Sequence, residues 1–287
     1  MAVAIASISF ASIFIRWSDA PPVVIAAYRM LFASLMLLPF ALRERYREEV
    51  RWLDRRQWWA VVIIGAVLGL HFLAFNAALQ ETSIASATVL VTAHPIVVGV
   101  LGYIYLKERP RRSGLGIALG LLGVVVISSS DLSGGAILGD LLALVGMLAA
   151  ALYLLGGRVL RQRISVVPYA FLVYSIAAAV LFATALATGA SLWPYPVEEW
   201  IIFLALAAVS TILGHTILNW SLRYLPAAFI SLSMLGEPVG ASILAYLLLS
   251  EVPSAGVVVG GSMVLAGILL SAGGASAAPT AGTTPGQ

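Results

Sequence analysis

Three histidines and one glutamate stand inside otherwise apolar stretches: His71, His94, His215 and Glu237. Imidazole donates and accepts hydrogen bonds and changes charge near neutral pH. A carboxylate can hold a substrate ammonium or carry a proton. An ionisable group at the centre of a long apolar helix costs around 3 kcal/mol on insertion scales, so it faces an aqueous cavity or a partner. His94 and Glu237 each directly precede a proline, Pro95 and Pro238. Phe75 lies one turn beyond His71 and Asn219 one turn beyond His215, so each pair shares a helix face. The expected substrate site is therefore His71, Phe75, His94, His215, Asn219 and Glu237. Its polar groups would coordinate the head of a zwitterion, and its ring would accept an apolar side chain. The competing reading is that these groups satisfy one another in a packed bundle, with Glu237 hydrogen-bonded to a histidine.

The rest of the chain carries little that could do covalent chemistry. There is no cysteine, no HExxH, no GxSxG and no paired-aspartate motif. No two histidines share a helix at ligand spacing, so neither a metal nor a cofactor is expected, and the chain is not read as an enzyme. A P-loop is missing too, which excludes ATP-driven transport within this chain. An intramembrane enzyme and a channel are the alternatives; a channel predicts continuous polar stripes or filter loops, whereas polarity here concentrates at one depth.

Composition says what must position these groups. Of 287 residues, 61% are hydrophobic and 10% charged, and mean hydropathy is +1.01. A soluble domain carries about 25% charged residues. A net charge of only +3 argues against a nucleic-acid partner. The pattern is that of an all-α polytopic membrane protein, in which a span needs about 20 apolar residues. Apolar runs bounded by charge or Pro/Gly clusters give ten transmembrane helices, at 2–17, 22–42, 58–80, 84–106, 113–130, 137–157, 166–188, 199–222, 226–249 and 254–273. The first has no positively charged region before it and is expected to be a retained helix rather than a signal peptide. Residues 274–287, uncharged Ala, Gly, Ser, Thr and Pro, read as a flexible tail.

Fourteen of the 16 Lys and Arg fall in the 2–3, 4–5, 6–7 and 8–9 connections, which ten spans place on one side. The other side keeps Arg16. By the positive-inside rule both termini are cytoplasmic. Tyr46, Val50 and Leu53 make one helical stripe in the charged 43–57 connection, expected to lie on the cytoplasmic membrane surface. Arg29, inside span 2, has three readings: attracting a substrate carboxylate, pairing with an acid, or snorkelling outward. Pro95 and Pro238 should kink their helices, as hinges or as static bends. GxxxG pairs such as Gly116/Gly120 and Gly256/Gly260 allow close helix approach, within a monomer or across a weak dimer.

Sliding the chain by 143 residues superposes Asn76 on Asn219, Pro95 on Pro238, Tyr103 on Tyr246, Glu108 on Glu251 and Pro110 on Pro253. His94 meets Glu237, and His71 comes within one residue of His215. Coincident Asn, Tyr, Glu and Pro are not cheap in apolar helices. Residues 1–130 and 131–273 are accordingly two five-helix repeats. Five is odd, so the second is inverted, an arrangement that sets a binding site at the repeat interface near the midplane.

On these residues the chain resembles the EamA-type members of the drug/metabolite transporter superfamily. The carriers of the resemblance are the matched His94-Pro95 and Glu237-Pro238 pairs, each helix closed by an EXP tripeptide, Glu108-Arg109-Pro110 and Glu251-Val252-Pro253. The resemblance covers all the spans and extends to amino-acid exporters of that superfamily. It implies a multi-pass protein of the bacterial cytoplasmic (inner) membrane that exports small metabolites, aromatic or other apolar amino acids foremost, by alternating access. Its partners would be the small-molecule substrate and the lipid bilayer.

Overall fold

The computed structural model describes residues 1–106, 113–132, 136–225 and 227–272, and every element among them is helical. In chain order these are α1 (Ala2–Trp17), α2 (Pro22–Ala41), α3 (Glu44–Arg51), α4 (Arg55–Glu81), α5 (Ile84–Val91), α6 (His94–Leu106), α7 (Ser113–Leu132), α8 (Ile137–Leu160) and α9 (Val166–Ala187). There follow α10 (Val197–Ala205), a π-helical segment (Leu206–Thr216), α11 (Ile217–Ser221), α12 (Ala227–Ser233), α13 (Gly236–Leu249) and α14 (Ala255–Ala272). Seven helical stretches are long and apolar enough to cross a membrane: Pro22–Ala41, Arg55–Glu81, Ile84–Leu101, Ile137–Leu160, Val166–Ala187, Val197–Ser221 and Ala227–Leu249. Ala2–Trp17, Ala118–Ile127 and Ala255–Gly267 are shorter apolar helices. Helix limits lie within a few residues of the apolar runs, because charge and Pro/Gly punctuation end both. Lys107 to Arg112, with the first EXP tripeptide, and residues 274–287 lie outside the described residues.

Two helices are interrupted where kinks are expected. α5 gives way to α6 just before Pro95, and α12 to α13 just before Pro238. A proline has no N–H to donate and its ring crowds the carbonyl four residues back, here Val91 and Met234. Tight i+3 bonds bridge each break: Ile96 N donates to Ala93 O at 3.0 Å, and Glu237 N to Met234 O at 2.9 Å. The result is a two-residue interruption of the helix at each matched position, residues 92–93 and 234–235.

α4 packs on α8 and α9, α2 on α9 and the π segment, and α1 on the π segment and α13; α5 and α6 both pack on α8, and α7 lies along α14. The last pair meets through glycines. A Cβ at Gly123 would sit 2.5 Å from the Gly260 carbonyl oxygen, and one at Gly267 2.5 Å from that of Gly116. Small residues here let backbones touch, so these glycines are consumed inside one chain.

α3 lies against α9. Its Glu49 accepts from Ser165 N at 2.8 Å and from Ser165 Oγ at 2.6 Å, a carboxylate satisfying orphan donors at the start of α9. Asp54 and Gln57 then cap α4 reciprocally, at 2.7 Å and 2.9 Å.

Candidate functional site

Halfway along the bundle α1, α2, α4, the α5–α6 break, the π segment and the α12–α13 break enclose a small cavity. Its walls are Ile8, Ala11, Arg29, His71, Phe72, Phe75, Val91, Thr92, His94, His215, Met234 and Glu237. At about 20 Å³ it has room for roughly one water. Five of the six expected site residues converge here: His71, Phe75, His94, His215 and Glu237. Among the described residues no group of three or more His, Asp or Glu is arranged to hold a metal.

Each group is set by its helix. His71 Nδ1 lies 3.0 Å from the Gly146 carbonyl oxygen; a carbonyl can only accept, so the proton sits on Nδ1 and Nε2 is left as an acceptor. Without a side chain at Gly146, α8 lies close enough for that bond. The His71 ring stacks parallel to Phe75 with centroids 6.3 Å apart, and stands 6.3 Å from the His215 ring. Both His94 ring nitrogens are buried without a hydrogen-bond partner. Glu237 is buried, and Ser9 Oγ holds its backbone by donating to the Glu237 carbonyl oxygen at 3.4 Å. None of the histidines approaches the Glu237 carboxylate as an ion pair, so the mutually satisfied packed cluster does not form among the described residues.

Asn219 is elsewhere. One turn past His215, it accepts from Tyr153 Oη at 2.8 Å and donates from Nδ2 to Tyr174 Oη at 3.2 Å, while Tyr174 shares a 3.0 Å bond with Thr216. Arg161, buried beyond α8, donates from Nε to the Asn219 carbonyl oxygen at 2.9 Å and also to the Ile164 carbonyl oxygen. Burial, with Arg223 nearby, holds Arg161 below the usual arginine range. This layer lies between the cavity and the end where Met1 sits, Ser221 Oγ donating to Met1 Sδ at 3.6 Å. At the opposite end Arg16 pairs with Glu251 at 3.7 Å and donates to the Thr82 carbonyl oxygen at 2.8 Å, and Glu251 accepts from Ile84 N at 2.7 Å. The second EXP tripeptide therefore supplies a carboxylate that caps α5 and ties it to α1.

The residue that sequence reasoning left open is Arg29. Its side chain does not snorkel: it is 1% exposed and lines the cavity beside Phe72, with Cζ 4.0 Å from the ring centroid. Its place, two turns into an apolar helix, was the available signal; a snorkelling arginine leaves the same sequence trace.

The model of the EamA-like transporter family matches residues 1–129 and 137–273. Two proteins of Archaeoglobus fulgidus described as uncharacterized transporters are 24% and 26% identical, covering 91% and 92% of this chain and 90% and 92% of their own lengths. The uncharacterized transporter YwfM of Bacillus subtilis is 28% identical over 88% of this chain and 84% of its own. A solved crystal structure superposes with a TM-score of 0.65 at 18% identity, over 93% of this chain and 94% of that one; it shares the fold.

Proposed function

We propose that this chain, which belongs to the EamA-like transporter family, exports small metabolites by alternating access, amino acids with aromatic or other apolar side chains foremost. The chain is a multi-pass membrane transporter of small molecules; the substrate class, direction and site roles are our reading. The observation that carries it is the small central cavity, with His71, His94, His215 and Glu237 gathered beside Phe72 and Phe75. Glu237 holds the substrate ammonium, the histidines contact its polar head, and the ring wall takes its side chain. Asn219 acts as a member of the layer beneath the cavity rather than as a ligand. A pore of continuous polarity is disfavoured by hydrogen-bonded layers on both sides of so small a cavity.

The architecture is read as ten spans in two inverted five-helix repeats, 1–130 and 131–273. Three observations support it: the matched helix breaks at Pro95 and Pro238, the family match falling in two segments, and packing that maps onto itself when the halves are exchanged. α1 against the π segment and α13 corresponds to α8 against α4 and the α5–α6 pair, and α2·α9 and α7·α14 each map to themselves. Breaks facing a cavity leave unwound backbone only where it is lined by protein, and they are the places where access alternates. The chain is read as lying in the bacterial cytoplasmic membrane with both termini cytoplasmic, as a monomer or weak dimer, needing no cofactor.

Counterflow in proteoliposomes, with a panel of amino acids and a pH gradient on or off, tests the reading. Exchange of at least one apolar amino acid is expected. Exchange of none removes the substrate class, and full activity in Glu237→Gln removes that carboxylate's role.

A further inference from the structure

We infer that Arg29 is the carboxylate receptor of the cavity, so that a transported zwitterion spans from Arg29 to Glu237; this rests on the amino-acid reading above and specifies it. Arg29 Nε donates to Thr211 Oγ1 at 2.8 Å, and one face of its guanidinium lies on Phe72, 4.0 Å from the ring centroid. Phe72 is itself held edge-on by His215 at 5.1 Å. One edge and one face of the cation are thus fixed by α4 and the π segment. Both terminal nitrogens remain, buried and without any hydrogen-bond partner. A guanidinium presents those two nitrogens as a planar fork that matches the two oxygens of a carboxylate.

The nearest candidate for satisfying that fork inside the protein does not do so. Glu237 lines the same cavity, yet no nitrogen of Arg29 comes within ion-pair distance of its carboxylate among the described residues. A buried guanidinium and a buried carboxyl group facing one cavity without pairing leave both groups for a ligand carrying a carboxylate and an ammonium. The same two charges choose between ligand classes. A dianion such as phosphate meets Glu237 as a like charge, and an amine without a carboxylate leaves the Arg29 fork bare. A zwitterion satisfies both, and Ile8, Ala11, Val91 and Met234 line the rest of the wall with apolar surface.

Two independent arms test this. In counterflow, L-leucine is compared with L-leucinamide, which keeps the ammonium and side chain but lacks the carboxylate. Wild type is expected to favour L-leucine by at least about tenfold, since a site built to hydrogen-bond a group rejects analogues lacking it. Arg29→Gln is expected to lose that preference, and Arg29→Lys, which keeps the charge without the fork, to retain part of it. Equal exchange of the two compounds, or full preference in Arg29→Gln, overturns the assignment while leaving the amino-acid reading standing. The second arm needs no transport: thermal unfolding of the purified protein with hexanoate or with hexylammonium. Hexanoate is expected to protect wild type, Arg29→Lys in part and Arg29→Gln not at all, whereas hexylammonium, a ligand for Glu237, is expected to act alike on all three. No protection of wild type by hexanoate, or equal hexanoate protection of wild type and Arg29→Gln, overturns the receptor. Failure of every amino acid in the panel to exchange, with hexanoate protection intact, sinks the amino-acid reading and keeps Arg29 as an anion site. If Arg29→Gln does not fold, the wild-type comparisons and Arg29→Lys decide.

Discussion

Arg29 and Thr211 meet across the bundle at 2.8 Å, a bond that π winding makes available. Thr211 Oγ1 also donates to the Leu206 carbonyl oxygen, five residues earlier, at 3.1 Å, and Thr216 repeats the pattern on Thr211 O at 3.1 Å. A hydroxyl with its proton committed backwards has only lone pairs to offer forwards, which suits a cation. π turns inside helices cluster at functional sites, and this one aims Thr211 at Arg29 and His215 at the cavity.

Thr211→Val keeps the shape and deletes the acceptor, leaving Nε buried and unpaired at about 1–3 kcal/mol. We expect a lower melting temperature and roughly tenfold weaker substrate exchange, with Thr211→Ser close to wild type. Counterflow and thermal unfolding of the three proteins check this; an unaffected Thr211→Val rejects the positioning role.

Asn219 joins Tyr153 to Tyr174 by two bonds, so Asn219→Leu removes both at once and leaves Tyr174 only its bond to Thr216. Its cost should exceed that of Tyr153→Phe, and the double variant should recover about 0.5–3 kcal/mol relative to the sum. A double-mutant cycle in chemical denaturation measures it; strict additivity means the network is not coupled.

The α7–α14 contact predicts its own sensitivity. Gly123→Val and Gly260→Val place side chains against backbone and should destabilise by about 1–3 kcal/mol or more, read as lost melting temperature. Gly99→Ala, where a Cβ meets nothing within 4 Å, is the control and should be silent.

Orientation is open to direct test because the chain has no cysteine. Glu198→Cys, before the π segment, should react with a membrane-impermeant maleimide in intact cells. Arg163→Cys, between α8 and α9, should react only after permeabilisation. The opposite pattern inverts the topology.

Helix limits, the depth of the polar cluster and the two proline interruptions were legible because each rests on a local rule: apolar length, the cost of buried charge, and the missing N–H of proline. Five of six expected site residues meet in one cavity because those costs act wherever the chain folds. Asn219 lies outside the cavity because one helical turn is 5.4 Å, enough to reach the layer beneath it. The inward turn of Arg29 depends on Thr211 and Phe72, which are 182 and 43 positions away, and no local pattern encodes such partners. π winding leaves no mark in hydropathy either, since its residues are as apolar as those of an α-helix.

The Glu49 cap has a mechanical consequence. It fastens the α2–α4 connection to the first turn of α9, and α2 and α4 themselves lie along α9. Helices from both proposed repeats are laced into one block, so a seam along which the protein yields would not follow the line between those repeats. The proposed repeats divide the chain near residue 130; leverage would divide it elsewhere, with a short amphipathic strut as the fastening.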